Sequence, residues 1–220
     1  TVSFANGETA RADLVVGADG VNSKIRDSLG LLRTRKAMPD GAIRVLIDKT
    51  EAERAAGDTG TTVETWSGSR RVLMTPCSET EIYIALTMLD RDDAARRVPI
   101  DKALWIAAFP HLEGLISRIG EDGRYDRFEY ISLKSWSAGR VALLGDAAHA
   151  MPPNIGQGGG CAMMNGLALA THLKGAADIE AGLAEWERGT RRRSRSFSGG
   201  PRPGPARCSA ASSAWSGVRA

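Results

Sequence analysis

The stretch at residues 145–166, GDAAHAMPPNIGQGGGCAMMNG, restricts what this chain of 220 residues can fold into more than any other. An apolar run of Val141, Ala142, Leu143 and Leu144 leads into Gly145 and Asp146. A proline-bearing loop follows, and glycines 156, 158, 159 and 160 then open a segment rich in Ala, Met and Leu that reads as a helix. The order strand, turn, helix places a carboxylate at a strand end and bare backbone N–H groups at a helix start. Such a start carries partial positive charge, and glycines let a ligand approach the backbone with no Cβ in the way. The ligand this suits is flat, polar-edged and partly anionic.

Upstream, residues 1–4 and 8–12 flank an Asn6-Gly7 turn, which predicts a β-hairpin. Residues 13–20, DLVVGADG, form an apolar run ending in Gly-x-Asp-Gly. A run apolar on both faces suits a parallel strand that is fully covered. Ser23 is a good N-cap for a helix over 24–29, with Gly30 as its stop. The texture then changes. Residues 42–47, 61–66, 71–74, 81–87 and 128–133 read as strands. Ile82, Ile84 and Leu86 alternate with Tyr83, Ala85 and Thr87, as expected of an antiparallel sheet with one face free. Short helices are expected at 51–56, at 101–108 behind the cap Asp101, and after Phe109-Pro110 over 111–119. Arg44, Tyr83 and Trp66 fall on the sheet and are read as packing residues. Met163, Leu167 and Ala170, with Met164 and Leu169 beside them, make a stripe read as core.

The residues at 145–160 resemble the flavin-contacting GD motif of the FAD-dependent aromatic monooxygenases, the group whose fold is like p-hydroxybenzoate hydroxylase. That motif reads Gly-Asp-Ala-Ala-His, three free positions, Pro, two free positions, Gly-x-Gly. Gly145, Asp146, Ala147, Ala148, His149, Pro153, Gly156 and Gly158 fill it. A single Gly-Asp turn serves packing alone in many α/β proteins; eight matching positions at fixed offsets point to the cofactor. By resemblance, Asp146, next to Gly145, would hydrogen-bond the ribityl chain of FAD. Pro153 would sit beside the flavin ring, and the amides of Gly156, Gly158, Gly159 and Gly160 would face its pyrimidine end. His149 is read as a hydrogen-bonded structural residue. GADGVNSKIR at 17–26 is similar to the DG motif of the same family, Asp-Gly, two free positions, Ser, two more, Arg. The resemblance makes Asp19 and Arg26 candidate contacts to FAD or NAD(P)H. Physically, Asp19 lies at the carboxyl end of a strand, where open α/β sheets bind ligands, and Arg26 offers a fork to a phosphate.

Family members also carry a G-x-G-x-x-G turn between a first strand and helix, which binds the adenine half of FAD, and no such turn occurs here. The expectation is therefore a fragment. Its fold class is α/β, α+β overall: part of a Rossmann-like FAD-binding domain interrupted by an antiparallel-sheet substrate domain. Residues 1–37 and 138–188 would be the two FAD-binding pieces and 38–137 the substrate sheet. The implied activity is hydroxylation of a small phenolic or aromatic-acid substrate with NAD(P)H and dioxygen. An inactive remnant and a basic-tailed interaction protein are the alternatives.

Composition separates these readings. No apolar run approaches the ~20 residues of a membrane span. Cys77, Cys161 and Cys208 are odd in number and lack metal-ligand spacing, which argues for a reducing, cytoplasmic setting and no metal. Eight arginines and no acidic residue lie between 188 and 220, so the rest of the chain carries 21 basic against 26 acidic side chains. The formal net charge of +3 thus belongs to the end of the chain, and no nucleic-acid partner is expected. Residues 189–220, rich in Arg, Pro, Ser and Gly, read as a disordered basic tail of the kind a shifted reading frame produces, a genuine interaction tail being the alternative.

Overall fold

Alternating apolar residues in the middle of the chain build the sheet they predict. The computed structural model describes residues 1–57, 60–153 and 156–197, with side chains as far as residue 191. After a hairpin of β1 (Val2–Ser3) and β2 (Thr9–Ala10) come β3 (Val15–Gly17), α1 (Lys24–Ser28), β4 (Leu32–Asp48) and α2 (Glu51–Ala55). Next are β5 (Val63–Ser67), β6 (Arg70–Pro76) and β7 (Glu81–Leu89), then α3 (Lys102–Ala108), a 3-10 turn (Pro110–Leu112) and α4 (Glu113–Ile116). The chain closes with β8 (Arg124–Leu133), β9 (Ser137–Ala138), β10 (Val141–Leu143), α5 (Asp146–His149), α6 (Gln157–Gly175) and α7 (Ile179–Phe197).

Five strands form an antiparallel sheet in the order β5-β6-β7-β4-β8. One face carries Ile43, Val45 and Ile47 of β4, Val72 of β6, and Ile82, Ile84 and Leu86 of β7. It packs on Trp105, Phe109, Leu115, Ile116 and Ile119 of the helical side. Asp101 caps α3 by accepting from the Leu104 N–H at 3.0 Å, as its sequence predicts. The opposite face is not free at its centre: Ala42, Ala85 and Thr87 are buried beside the longer Arg44 and Arg71. Strand β4 begins ten positions before the expected residue 42, and the expected division between 37 and 38 falls inside it. Its first part pairs only with β8, past a bulge between Ala37 and Gly41, and its LRTRKA sequence has no alternation to betray a strand.

A smaller sheet has the order β3-β10-β9, with β3 parallel to β10 and Val15 opposite Val141. The strand expected to be fully covered is only three residues long, and its Val16 is 43% exposed. The reason is its place: β10 has neighbours on both sides, whereas β3 is an edge strand among the described residues. Behind this sheet, Ile131 and Leu133 of β8 share a core with Trp136, Leu143, Leu169, Leu183 and Trp186, so β8 joins the two sheets.

Two expectations are corrected in the last helices. The stripe of Met163, Met164 and Leu167 is not core: the three are 74%, 62% and 62% exposed. The inner face of α6 is instead made by Asn165 and Leu169. The stretch from residue 189 expected to be disordered is helical as far as Phe197, where α7 ends. Thr190 is buried, and Arg191 donates to the carbonyls of Leu133 and Lys134 at 2.6 and 2.8 Å. Residues 198–220 lie outside the described residues. No helix among the described residues is long and apolar enough to cross a membrane.

Candidate active site

The carboxyl ends of β3 and β10 lie side by side, so the loops that leave them meet. After β3, Asp19 turns back on the chain: its carboxylate accepts from the N–H groups of Lys24 and Ile25 at 2.8 and 3.3 Å. Burial opposes its ionisation, but these bonds and one from Ser23 hold its pKa below the usual carboxylate value. Asp19 thereby fixes the start of α1, together with Ser23, whose hydroxyl accepts from the Arg26 N–H at 3.0 Å. Arg26 is fully buried. Its guanidinium donates to the carbonyls of Val21 at 2.9 Å and Ala147 at 3.4 Å, and to Asp27. This clamps the loop after β3 to the short helix after β10.

At the end of β10, Gly145 has φ 57°, a backbone conformation that glycine adopts without strain, and its turn starts α5 at Asp146. His149 ends α5 in a buried position. One ring nitrogen meets the Asn165 side chain at 2.7 Å, and the ring lies 5.1 Å from that of Trp136. Burial holds its pKa below the ordinary histidine value. The Asn165 carbonyl accepts from the Trp186 indole at 3.2 Å, so His149 belongs to a structural network linking α5, α6 and α7. Gly156, in the left-handed conformation with φ 64°, precedes α6. A side chain at Gly156, Gly158, Gly159 or Gly160 would project into open space.

Between these loops and the five-stranded sheet lies a cavity of about 710 Å³, within the range of small-molecule sites. Gly145, Asp146, Pro153, Gly156, Gly158 and Gly159 line it from one side, with Ala18, Gly20 and Val21 from the loop after β3. Arg44, Asp126 and Phe128 line it from the sheet. The structure therefore brings six of the nine residues singled out in the sequence to one cavity wall. Gly160 lies one residue further into α6, while the exposed Asp19 is engaged by the Lys24 and Ile25 N–H groups and Arg26 is buried under the loop after β3.

Sequence reasoning passed over the sheet's contribution. Arg44 reaches Asp126 at 3.3 Å and stacks over Phe128 at 5.7 Å. On the same face, Arg71 is buried, stacks over Trp66 at 5.2 Å and donates to Thr87 at 3.3 Å; its Nε has no partner among the described residues. A buried guanidinium beside Ala42, Ala85 and Thr87 is a functional signal, but only the strand register reveals the surface. Among the described residues no group of His, Cys, Asp and Glu could hold a metal ion.

Residues 3–195 match a family model described as FAD binding domain. The chain is 45% identical over 194 residues to 2-heptyl-3-hydroxy-4(1H)-quinolone synthase of Mycobacteroides abscessus, covering 87% of this chain and 52% of that protein. Its structure is similar to that of tetrameric 2-methyl-3-hydroxypyridine-5-carboxylic acid oxygenase, with a TM-score of 0.79 and 39% identity over 86% of this chain and 53% of that one. It is also similar to Klebsiella pneumoniae HpxO complexed with FAD and uric acid, with a TM-score of 0.76 and 29% identity over 89% of this chain and 51% of that one. The chain thus spans about half the length of the relatives it matches.

Proposed function

The chain belongs to the FAD-dependent aromatic monooxygenases, and from that premise we propose that it supplies the flavin-facing wall and the substrate sheet of an enzyme that hydroxylates a nitrogen-containing aromatic ring. NAD(P)H and dioxygen are its co-substrates and the cytoplasm its setting. The observation that carries this reading is the cavity, where a glycine-lined helix start and an exposed carboxylate face a sheet bearing Arg44 and Phe128. The open space over the glycines fits a flat ring that lies against the backbone.

When bound and reduced, FAD supplies the oxygen chemistry. The protein's share is to bind, orient and exclude water. Asp146 would accept from the ribityl hydroxyls, and Pro153 would flank the ring. The N–H groups of Gly158 and Gly159, in the first turn of α6, would face the pyrimidine end, where a helix start favours negative charge by about 0.3–1 kcal/mol. The Gly156 N–H is held by the Pro153 carbonyl at 2.9 Å, and Gly156 and Gly160 would serve by leaving the approach open. Asp19 and Arg26 act at one remove, by fixing the loop whose Ala18, Gly20 and Val21 meet the cofactor. The nitrogen heteroaromatic rings named for all three relatives support the same substrate class here, with Arg71 as a polar anchor on the sheet.

The test is to co-express the chain with the amino-terminal half of the Mycobacteroides relative, add FAD, and follow NAD(P)H oxidation with a 4-quinolone or a hydroxypyridine acid. A yellow complex whose NAD(P)H oxidation rises with such a ring is expected. A folded but colourless complex would overturn the cofactor assignment, and a yellow one indifferent to these rings would overturn the substrate class.

A further inference from the structure

Asp40 is an unpaired carboxylate on the sheet face that roofs the cavity, set beside the lining residue Phe128 rather than in the lining itself. Its orientation follows from register: a Cβ at neighbouring Gly41 would meet the Tyr125 hydroxyl, on the helix-packed face, so residues 40 and 42 turn to the opposite face. Asp40 sits in the bulge between Ala37 and Gly41, across from Phe128 of the cavity wall. It is half-buried, and no other residue among those described donates a hydrogen bond to its carboxylate or pairs with it.

The charged groups around it are accounted for. Arg71 on β6, which pairs with Glu64 of β5 at 3.5 Å, faces it from across β7 and acts on it electrostatically without an ion pair between the two. On β4 and β8, Arg44 and Arg124 are both committed to Asp126. Arg127 pairs with Asp90, which also accepts from Tyr125 and pairs with Arg96. On β7 the neighbours on this face are Thr87 and Leu89, and Arg70 is held by Asp92. Burial pushes the Asp40 carboxyl above the usual aspartate value, and its own backbone N–H and the Arg71 charge only partly offset this. An unpaired, half-buried carboxylate costs stability and has no structural partner to justify it.

We infer that Asp40 is the proton acceptor for the substrate, taking the proton of a ring hydroxyl or ring N–H in the cavity while Arg71 faces the anion that remains. The step balances without a further reactant. The O–H or N–H bond breaks, its electron pair stays on the ring, and the proton moves to an Asp40 Oδ. The ring becomes electron-richer, which any electrophilic oxygen transfer requires. A base is most useful when its pKa is raised toward the working pH. The inference deepens the proposed function and rests on it.

The experiment uses the co-expressed complex with FAD, its Asp40→Asn variant and 4-hydroxyquinoline as probe, with binding followed by the probe's fluorescence across pH and stability by urea unfolding. Wild type is expected to lose affinity as pH falls through the Asp40 midpoint. The variant should bind about tenfold more weakly with no such pH dependence, the loss of one charge-assisted acceptor. It should also unfold at higher urea at neutral pH, an advantage that vanishes in acid. A purely structural Asp40 predicts the opposite stability change. Equal binding and equal pH profiles for the two proteins would overturn the inference and leave the functional reading standing. Failure of wild type to bind the probe at any pH would strike the functional reading itself, and the inference with it.

Discussion

Asp146 is exposed on the cavity wall, and no described residue donates a hydrogen bond to its side chain. In the co-expressed complex, Asp146→Ala should weaken FAD binding by about tenfold to a hundredfold, because a buried hydroxyl that loses its acceptor costs about 1–3 kcal/mol. Superimposable FAD titrations for parent and variant would refute the assignment. His149 predicts differently. Its folded pKa lies below its unfolded value of 6.5, so the unfolded chain takes up a proton first as pH falls. Stability should therefore decline from about pH 6.5 downward until the folded pKa is reached. In His149→Gln, urea midpoints measured across that window should stay flat; an unchanged slope would place the titration elsewhere. The glycines, Asp146 and Pro153 could be read from the sequence because they sit within a few residues of one another. Asp40 and Arg71 could not, since only the pairing of β4, β7 and β6 sets them on one face.

At the scale of elements, α7 is where sequence reading stopped too early. Beyond Gly189 the helix has no apolar stripe to announce it, because its docking is polar. Arg191 reaches the Leu133 and Lys134 carbonyls and Glu187, and Glu187 accepts from the hydroxyls of Ser135 at 2.6 Å and Ser137 at 2.9 Å. Burial opposes the Glu187 charge, but these hydroxyls, the backbone and Arg191 hold its pKa below the carboxylate value of 4.5. Its contribution to stability is present above that pH and is lost as acid carries it through the lowered folded pKa. Arg191→Ala should destabilise the chain by about 1–3 kcal/mol in urea unfolding, since it removes the donor to one Glu187 oxygen and to two carbonyls. A variant as stable as the parent would mean that the end of α7 does not dock. The strand β4 was cut short for a related reason: after Leu32 its first residues, Arg33 to Ala37, are charged or small, and this part pairs on one side only. Elements held by apolar alternation were legible, and those held by backbone pairing or salt links were not.

For the whole molecule, the prediction concerns the chain by itself, which should bind FAD weakly and oxidise no NAD(P)H with any aromatic ring. The cavity wall supplies contacts for the ring and the ribityl chain, whereas a pyrophosphate calls for the N-terminus of a further glycine-rich strand-turn-helix unit. In the smaller sheet β10 is flanked by β3 and β9, so among the described residues its parallel side ends at an open β3 edge. That edge presents the unpaired backbone of Val15–Gly17 and an exposed Val16, while Met163, Met164 and Leu167 expose an apolar stripe on α6. The five-stranded sheet has its own core against α3 and α4, so this half should stay folded while the β3 side associates with other copies. Gel filtration across a concentration series, with FAD present, should give a colourless protein whose apparent size grows with concentration. Val16→Lys should reduce that growth by placing a charge on the open edge. A yellow monomer that consumes NAD(P)H would overturn the prediction and require some part of this chain to hold the pyrophosphate unaided.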